Sequence, residues 1–253
     1  MKTVFINCSP KKHLAASSWF LALSRIFTGG VKVSEKLRTP ADHGRILAAL
    51  ADADAVVFAM PLYVDGIPSH VLPFLEELEQ FSRANGLHLR VCAIANNGFI
   101  EGRQNEPLMQ EMENFCARAG LTWCGGVGIG GGVMLNVTRI LCVVDIALLL
   151  LNMALSVAQG GPLFPEDALW DFASSALILL YFNLGVLFYL ARMGAALRRG
   201  RALGKKYTRI LIPSFLFILF ADLFFLIISI LTGGVFRGWL AKKQPEEAPG
   251  GRM

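Results

Sequence analysis

A doubly wound α/β domain followed by membrane-spanning helices is the architecture this sequence predicts, and three observations predict it. Short β-branched runs alternate with amphipathic stretches over the first 138 residues. Charge is uneven: residues 1–138 hold 12 Lys/Arg against 12 Asp/Glu, and residues 139–253 hold 12 against 7. Two later segments are long and nearly free of charge. The whole chain is 54% apolar and 17% charged, whereas a soluble protein carries about a quarter charged residues. Disordered, collagen-like and disulfide-stapled classes are excluded by the same composition. Because the basic excess sits in the apolar part, it points to a membrane surface and not to nucleic acid.

The strands come first. Thr3–Ile6 is a short β-branched and aromatic run ending at Asn7-Cys8-Ser9-Pro10, and Leu14–Phe27 follows with helical spacing. Val31–Val33 is a weak second strand and Arg45–Leu50 a short helix. Ala55–Met60 is a continuous apolar run stopped by Pro61, as a strand buried on both faces should be. Val71, Leu72, Leu75, Leu78 and Phe81 then recur at helical steps opposite Glu76, Glu77 and Glu79. Leu89–Ala95 is a fourth strand, Glu106–Ala119 an amphipathic helix, and Leu121–Val127 a fifth strand leading into Gly128–Gly132. Five strands alternating with helices imply a parallel sheet covered on both faces.

In such a sheet a ligand sits beyond the carboxyl ends of the strands. Three segments there are unusual. Ser9-Pro10-Lys11-Lys12 through Ser17-Ser18 gathers hydroxyls and free amides at a helix start, a natural phosphate site, although the serines could equally serve as caps. It is neither a P-loop nor a G-x-G-x-x-G turn. Pro61-Leu62-Tyr63-Val64-Asp65-Gly66-Ile67-Pro68 is apolar and aromatic, suited to the face of a planar ligand. Asn96-Asn97-Gly98-Phe99 adds free amides and a second aromatic. Together they point to a mononucleotide with a large flat ring.

These three stretches, N-x-S-P-K-x(5)-S-S, M-P-L-Y-V-D-G-I-P-S-H and N-N-G-F-x-E-G-R-Q-N, resemble the flavodoxin-like NAD(P)H-dependent FMN reductase and quinone reductase superfamily over about residues 1–135. The resemblance implies a flavodoxin-like five-stranded sheet of order 2-1-3-4-5, with FMN as cofactor and NAD(P)H as co-substrate. It further implies that Ser9, Ser17 and Ser18 hold the FMN phosphate. Pro61, Leu62, Tyr63 and Val64 would line one side of the ring, and Asn97, Gly98 and Phe99 the other. Relatives commonly carry Gly before the Ser of the first loop, where this chain has Cys8. No acid or base is required of the protein: the catalytic residue is open, with Tyr63 a weak candidate and His70 read as the start of a helix. An FMN-binding electron carrier or redox sensor without turnover is the alternative, and a scaffold without cofactor a third reading.

The rest of the chain carries the membrane argument. Phe172–Ala191 has no charge and Ile210–Leu231 has Asp222 alone, and each is long enough for a hydrocarbon core about 30 Å thick. Between them, residues 192–209 hold seven Lys/Arg and no acid, so this basic loop belongs in the cytoplasm. Residues 140–158 are ambiguous. A five-stranded domain wants a fifth helix there, yet the polar residues Asp145, Asn152, Ser156 and Gln159 occupy a narrow arc and leave a wide apolar face. The expected division is a flavin domain over 1–160, with 140–158 as its fifth helix or as an extra span. A membrane region over 161–241 and a polar tail over 242–253 complete it.

The opening residues have an apolar run of only three before Asn7, too short for a signal peptide, which places the domain in the cytoplasm. Membrane lipid, a quinone or membrane redox partner, and a second copy of the chain are the partners this reading admits. Five cysteines without C-x-x-C and four scattered histidines argue for reduced thiols and against a metal site.

Overall fold

A computed structural model describes residues 1–164 and 166–233. The polar tail expected over 242–253 lies outside them. The chain forms two compact units, Met1–Leu211 and Ile212 onward.

The first unit is built on one parallel sheet. Its strands are β1 (Lys2–Asn7), β2 (Val31–Lys36), β3 (Ala55–Pro61), β4 (Arg90–Asn96), β5 (Thr122–Gly130) and β6 (Gly204–Arg209). They lie in the order β2-β1-β3-β4-β5-β6, every neighbouring pair parallel. The first five reproduce the expected 2-1-3-4-5 order, which is the flavodoxin-like one. The five-strand count is corrected to six. The added strand falls inside the segment expected to be a basic cytoplasmic loop, residues 192–209.

Residues alternate between the two faces of the sheet, and both are covered. Val4, Ile6, Val56, Phe58 and Met60 share one core with α2 (His43–Leu50), α3 (Leu72–Asn85) and α4 (Glu106–Ala119). On the opposite face lies α1 (Ala16–Phe27), with Arg25 over the ring of Phe5. A doubly wound sheet needs a second helix beside α1. Residues 140–158 do not supply it.

They belong instead to α5 (Gly132–Ala158), which starts at the carboxyl edge of the sheet and buries only Gly132 and Leu135. Leu141, Val144, Leu148, Leu151 and Leu155 along it are exposed. The covering helix is the second half of α6 (Glu166–Arg199), which packs on α1, β5 and β6. Its buried stripe, Val186, Leu190, Met193 and Leu197, repeats at steps of four, three and four, one face of a helix. Gly194 permits the close approach, because a Cβ there would strike the carbonyl of Phe27 at the end of α1. Arg90, at the amino end of β4, donates to the carbonyl of Leu197 at 2.6 Å, and Arg198 donates to that of Phe27. These bonds fix the last turn of α6.

The first half of α6 is different. It runs beside α5 and exposes Trp170, Leu177, Ile178 and Leu180. Together α5 and this half form an apolar helical pair inserted between β5 and the helix that covers it. The boundary expected at residue 160 therefore falls within the first unit.

The second unit contains α7 (Ser214–Leu231), apolar throughout except Asp222 and its serines. Among the described residues, three helices, Gly132–Ala158, Leu169–Arg199 and Ser214–Leu231, are long and apolar enough to cross a membrane.

Candidate functional site

The carboxyl ends of β1, β3 and β4 lie side by side, so the loops that follow them converge. The cleft between them is lined by Ser9, Lys11 and Ser17 from the first loop and helix start, Pro61, Leu62 and Tyr63 from the second, and Asn96, Asn97 and Gly98 from the third. It straddles β1 and β3, the point at which strand order reverses and ligands bind in doubly wound sheets.

The first loop reaches α1 through Leu14, whose φ of 51° is left-handed. Asn136 of α5 holds that turn by donating to the Leu14 carbonyl at 2.8 Å. No side chain caps α1, whose N-cap is Ala15, and no acid sits in its first turn. The amides of Ala16 and Ser17 therefore lie at an uncapped helix start beside the cleft, an arrangement that favours an anion. Ser17 donates to Asn96 Oδ1 at 2.9 Å. Ser9 is buried, its amide donating to Asn7 Oδ1 at 3.0 Å. Cys8 has no left-handed backbone, so its position does not demand glycine. Its side chain is wholly buried in the core, and burial pushes the thiol pKa far up.

In the second loop, Tyr63 and Gly66 exchange backbone hydrogen bonds of 3.3 and 3.1 Å around Val64 (φ 48°) and Asp65 (φ 58°). Two successive left-handed residues make a type I′ turn. A β-branched residue there is strained, and such strain gathers at functional sites. Glu111 of α4 accepts from the Ile67 amide at 3.0 Å and anchors the far end. His70 Nε2 lies 3.1 Å from the Cys8 carbonyl, which can only accept, so Nε2 carries the proton. His70 thus ties the second loop to the first.

In the third loop, Asn97 donates through its side chain to the Glu101 carbonyl at 3.0 Å, while its Oδ1 is buried without a partner. An unpaired buried acceptor costs stability until a donor arrives. The Gly132 amide donates to the Asn97 carbonyl at 2.9 Å, and Gly131, at φ 71°, turns the chain from β5 into α5. Gly131 and Gly132 thus serve that turn, whereas Gly128 and Gly130 lie within β5, where a Cβ would strike Tyr207 and the Ile100 carbonyl.

Of the expected site residues, Ser9, Ser17, Pro61, Leu62, Tyr63, Asn97 and Gly98 meet in the cleft. Three do not. Ser18 donates to the Ala15 carbonyl at 2.6 Å and lines a separate cavity, because successive helical residues point about 100° apart. Val64 is at the tip of its turn, fully exposed, and Phe99 is 61% exposed outside the cleft. Sequence reasoning placed Asn96 in the third segment without a role, though it pairs with Ser17, and missed Val133, which α5 contributes to the wall. The signal for Asn96 is its place at the end of a buried strand, where a polar side chain must find a partner.

No family model matches the chain, and no curated protein matches it. Solved structures do. A flavodoxin, WrbA-like protein from Agrobacterium tumefaciens is similar at 13% identity over 78% of this chain and 98% of its own, with a TM-score of 0.45. An NAD(P)H:quinone oxidoreductase from Methanothermobacter marburgensis is similar at 14% over 55% and 92%, TM-score 0.44. An azoreductase from Bacillus anthracis str. Sterne is similar at 12% over 77% and 98%, TM-score 0.42. It is the strand order, and not these likenesses, that makes the fold flavodoxin-like.

Proposed function

We propose that the chain is a membrane-tethered flavoprotein oxidoreductase that binds FMN in this cleft, takes electrons from NAD(P)H and passes them to a quinone or another acceptor. The observation that supports this best is the convergence of an uncapped helix start with the unpartnered Asn97 Oδ1 in a cleft that no acidic side chain lines. A mononucleotide offers both complements, an anion for the first and hydroxyl or ring N–H donors for the second.

When bound, FMN supplies the hydride and electron chemistry; the protein's work is placement. The Ala16 and Ser17 amides with the Ser9 hydroxyl would hold the phosphate, joined by the Ser17 hydroxyl once it turns from Asn96, and Lys11 would add a positive charge nearby. Asn97 accepts from the ligand. Pro61, Leu62 and Tyr63 form one wall for the ring and Gly98 lets it approach the other. The cleft encloses about 110 Å³, below the roughly 300 Å³ at which drug-sized pockets begin. It would take the phosphate end, and Tyr63, exposed at the rim, would offer its face to the ring. The Tyr63 hydroxyl is a secondary candidate for donating to an acceptor.

The membrane reading rests on the three apolar helices. Arg192, Arg198, Arg199, Arg201, Lys205, Lys206 and Arg209 lie at the sheet-bound end of α6 and on or beside β6, so the positive-inside rule sets the sheet domain in the cytoplasm. The acid-bearing connection around Glu166 and Asp167 then lies outside.

The deciding experiment is the visible spectrum of detergent-purified full-length protein before and after anaerobic NADPH. Flavin absorbance that bleaches promptly is expected. A colourless preparation that takes up no added FMN overturns the proposal, and a yellow one that NADPH leaves oxidised reduces it to an electron carrier or sensor. For orientation, a cysteine introduced as Arg201→Cys should resist impermeant thiol reagents in intact cells; ready labelling overturns the cytoplasmic placement.

A further inference from the structure

Beside the start of α1 lies a larger, open cavity of about 530 Å³, lined by that start, by residues 139–146 of α5 and by Leu179 of α6. Its walls are mainly apolar: Ile140, Val143 and Ile146 from α5 face Trp19 and Leu179. Besides Cys142 and Ser18, whose hydroxyl is bonded to the Ala15 carbonyl, two groups break that pattern. The Arg139 guanidinium stands over the Trp19 ring, 5.5 Å from its centroid, and has no carboxylate partner among the described residues. The Trp19 indole Nε1 is buried and has no hydrogen-bond partner.

A cation beside an aromatic face and an orphaned N–H, both at an otherwise oily cavity, call for an acceptor that carries negative charge. The cavity's position narrows the class. Before Arg139, α5 is anchored in the sheet domain by the buried Gly132 and Leu135; after it, Leu141, Val143 and Val144 are exposed and apolar. Arg139 therefore sits at the level where the helix leaves the domain, which on the membrane reading above is the headgroup layer, the ordinary place for Arg and Trp. A free phosphate would satisfy Arg139 but leave Val143, Ile146 and Leu179 uncovered. A neutral apolar molecule would cover those walls but leave the charge of Arg139 uncompensated. An acyl chain joined to a phosphate does both.

We propose that this cavity binds one acidic phospholipid, with its headgroup phosphate accepting from Arg139 and the Trp19 N–H and an acyl chain along Val143, Ile146 and Leu179. The inference rests on the membrane reading but not on FMN or on turnover.

The test is lipid retention by the full-length protein. Purified from detergent into phosphatidylcholine nanodiscs containing phosphatidylglycerol, then re-extracted mildly, the wild type should carry about one phosphatidylglycerol per chain by native mass spectrometry. Arg139→Gln should lower that retention about tenfold, as loss of a charge-assisted bond does. Trp19→Phe, which keeps the ring and removes the donor, should lower it a few fold, and Arg139→Lys should preserve most of it. Millimolar inorganic phosphate should not displace the lipid. Equal retention by wild type and Arg139→Gln, with matching circular dichroism, overturns the proposal, and so does displacement by phosphate, which would make the site one for the free anion. A chain that stays soluble without detergent overturns the membrane reading itself. A membrane-integral chain that retains phosphatidylcholine and phosphatidylglycerol equally overturns this inference alone.

Discussion

Two helices follow β5, and they divide labour in the opposite way to their order. The nearer, α5, should by chain order cover the sheet, yet it buries Gly132 and Leu135 and little else. The farther, α6, returns along α5 and then covers the sheet with Val186, Leu190, Met193 and Leu197. Both are apolar, so composition does not separate them. Periodicity does. The buried half of α6 carries a stripe backed by Arg192, Arg198 and Arg199, whereas α5 is apolar around most of its circumference, as a helix in lipid is.

The contrast can be broken by truncating one side chain on each helix. Leu190→Ala leaves a cavity under the sheet and should destabilise the domain by about 2–5 kcal/mol. Leu150→Ala, on the exposed face of α5, should change stability by less than about 0.5 kcal/mol. Thermal melts in one detergent compare the two, and equal losses would mean that α5 also packs on protein.

A finer version contrasts the two sides of α1. Ser17→Ala removes a hydroxyl of the cleft and should weaken FMN binding by about 1 kcal/mol, roughly fivefold. Ser18→Ala should leave that affinity unchanged, because its hydroxyl lines the separate cavity and not the cleft. Flavin fluorescence on titration reads both, and equal effects would return Ser18 to the phosphate site.

The smallest effect sharpens the status of β6. The Tyr207 hydroxyl, and then Lys205, hold the Glu106 carboxyl below its ordinary 4.5, tying β6 to α4. Since the folded value is depressed, the stabilisation is complete above pH 4.5 and is lost as the pH falls below it. The Glu106 side chain is 40% exposed, so solvent screens much of the gain. Glu106→Gln should flatten the acid limb of the melting temperature against pH and leave the neutral region nearly unchanged. An unaltered acid limb would deny the contact.

Most of the sheet was legible because strands buried on both faces must be continuous apolar runs, and Ala55–Met60 and Leu89–Ala95 are such runs. β6 was not, since an edge strand needs no such run. Gly204–Arg209 reads G-K-K-Y-T-R, and its lysine at 205 finds Glu106 and Glu113 only once the sheet is assembled. Likewise α6 hid its two environments in one 34-residue helix, where an average over any long window blends exposed apolar and sheet-facing residues. At the cleft, the loops were legible from the rule that parallel strands present their carboxyl ends together. The directions of individual side chains were not, so Ser17 and Ser18 read alike although they face different cavities. Val64 read as a ring contact although its turn lifts it clear.

The unbroken course of α6 has a mechanical consequence. At 1.5 Å per residue it is a rod of roughly 51 Å, clamped at one end by Arg90 and Arg198 and free of proline along its length. A rod without a joint transmits tilt. If α6 spans a bilayer as proposed, a change in thickness that leans its outer half would rock the end seated against α1, and with it the helix whose first turn borders the cleft.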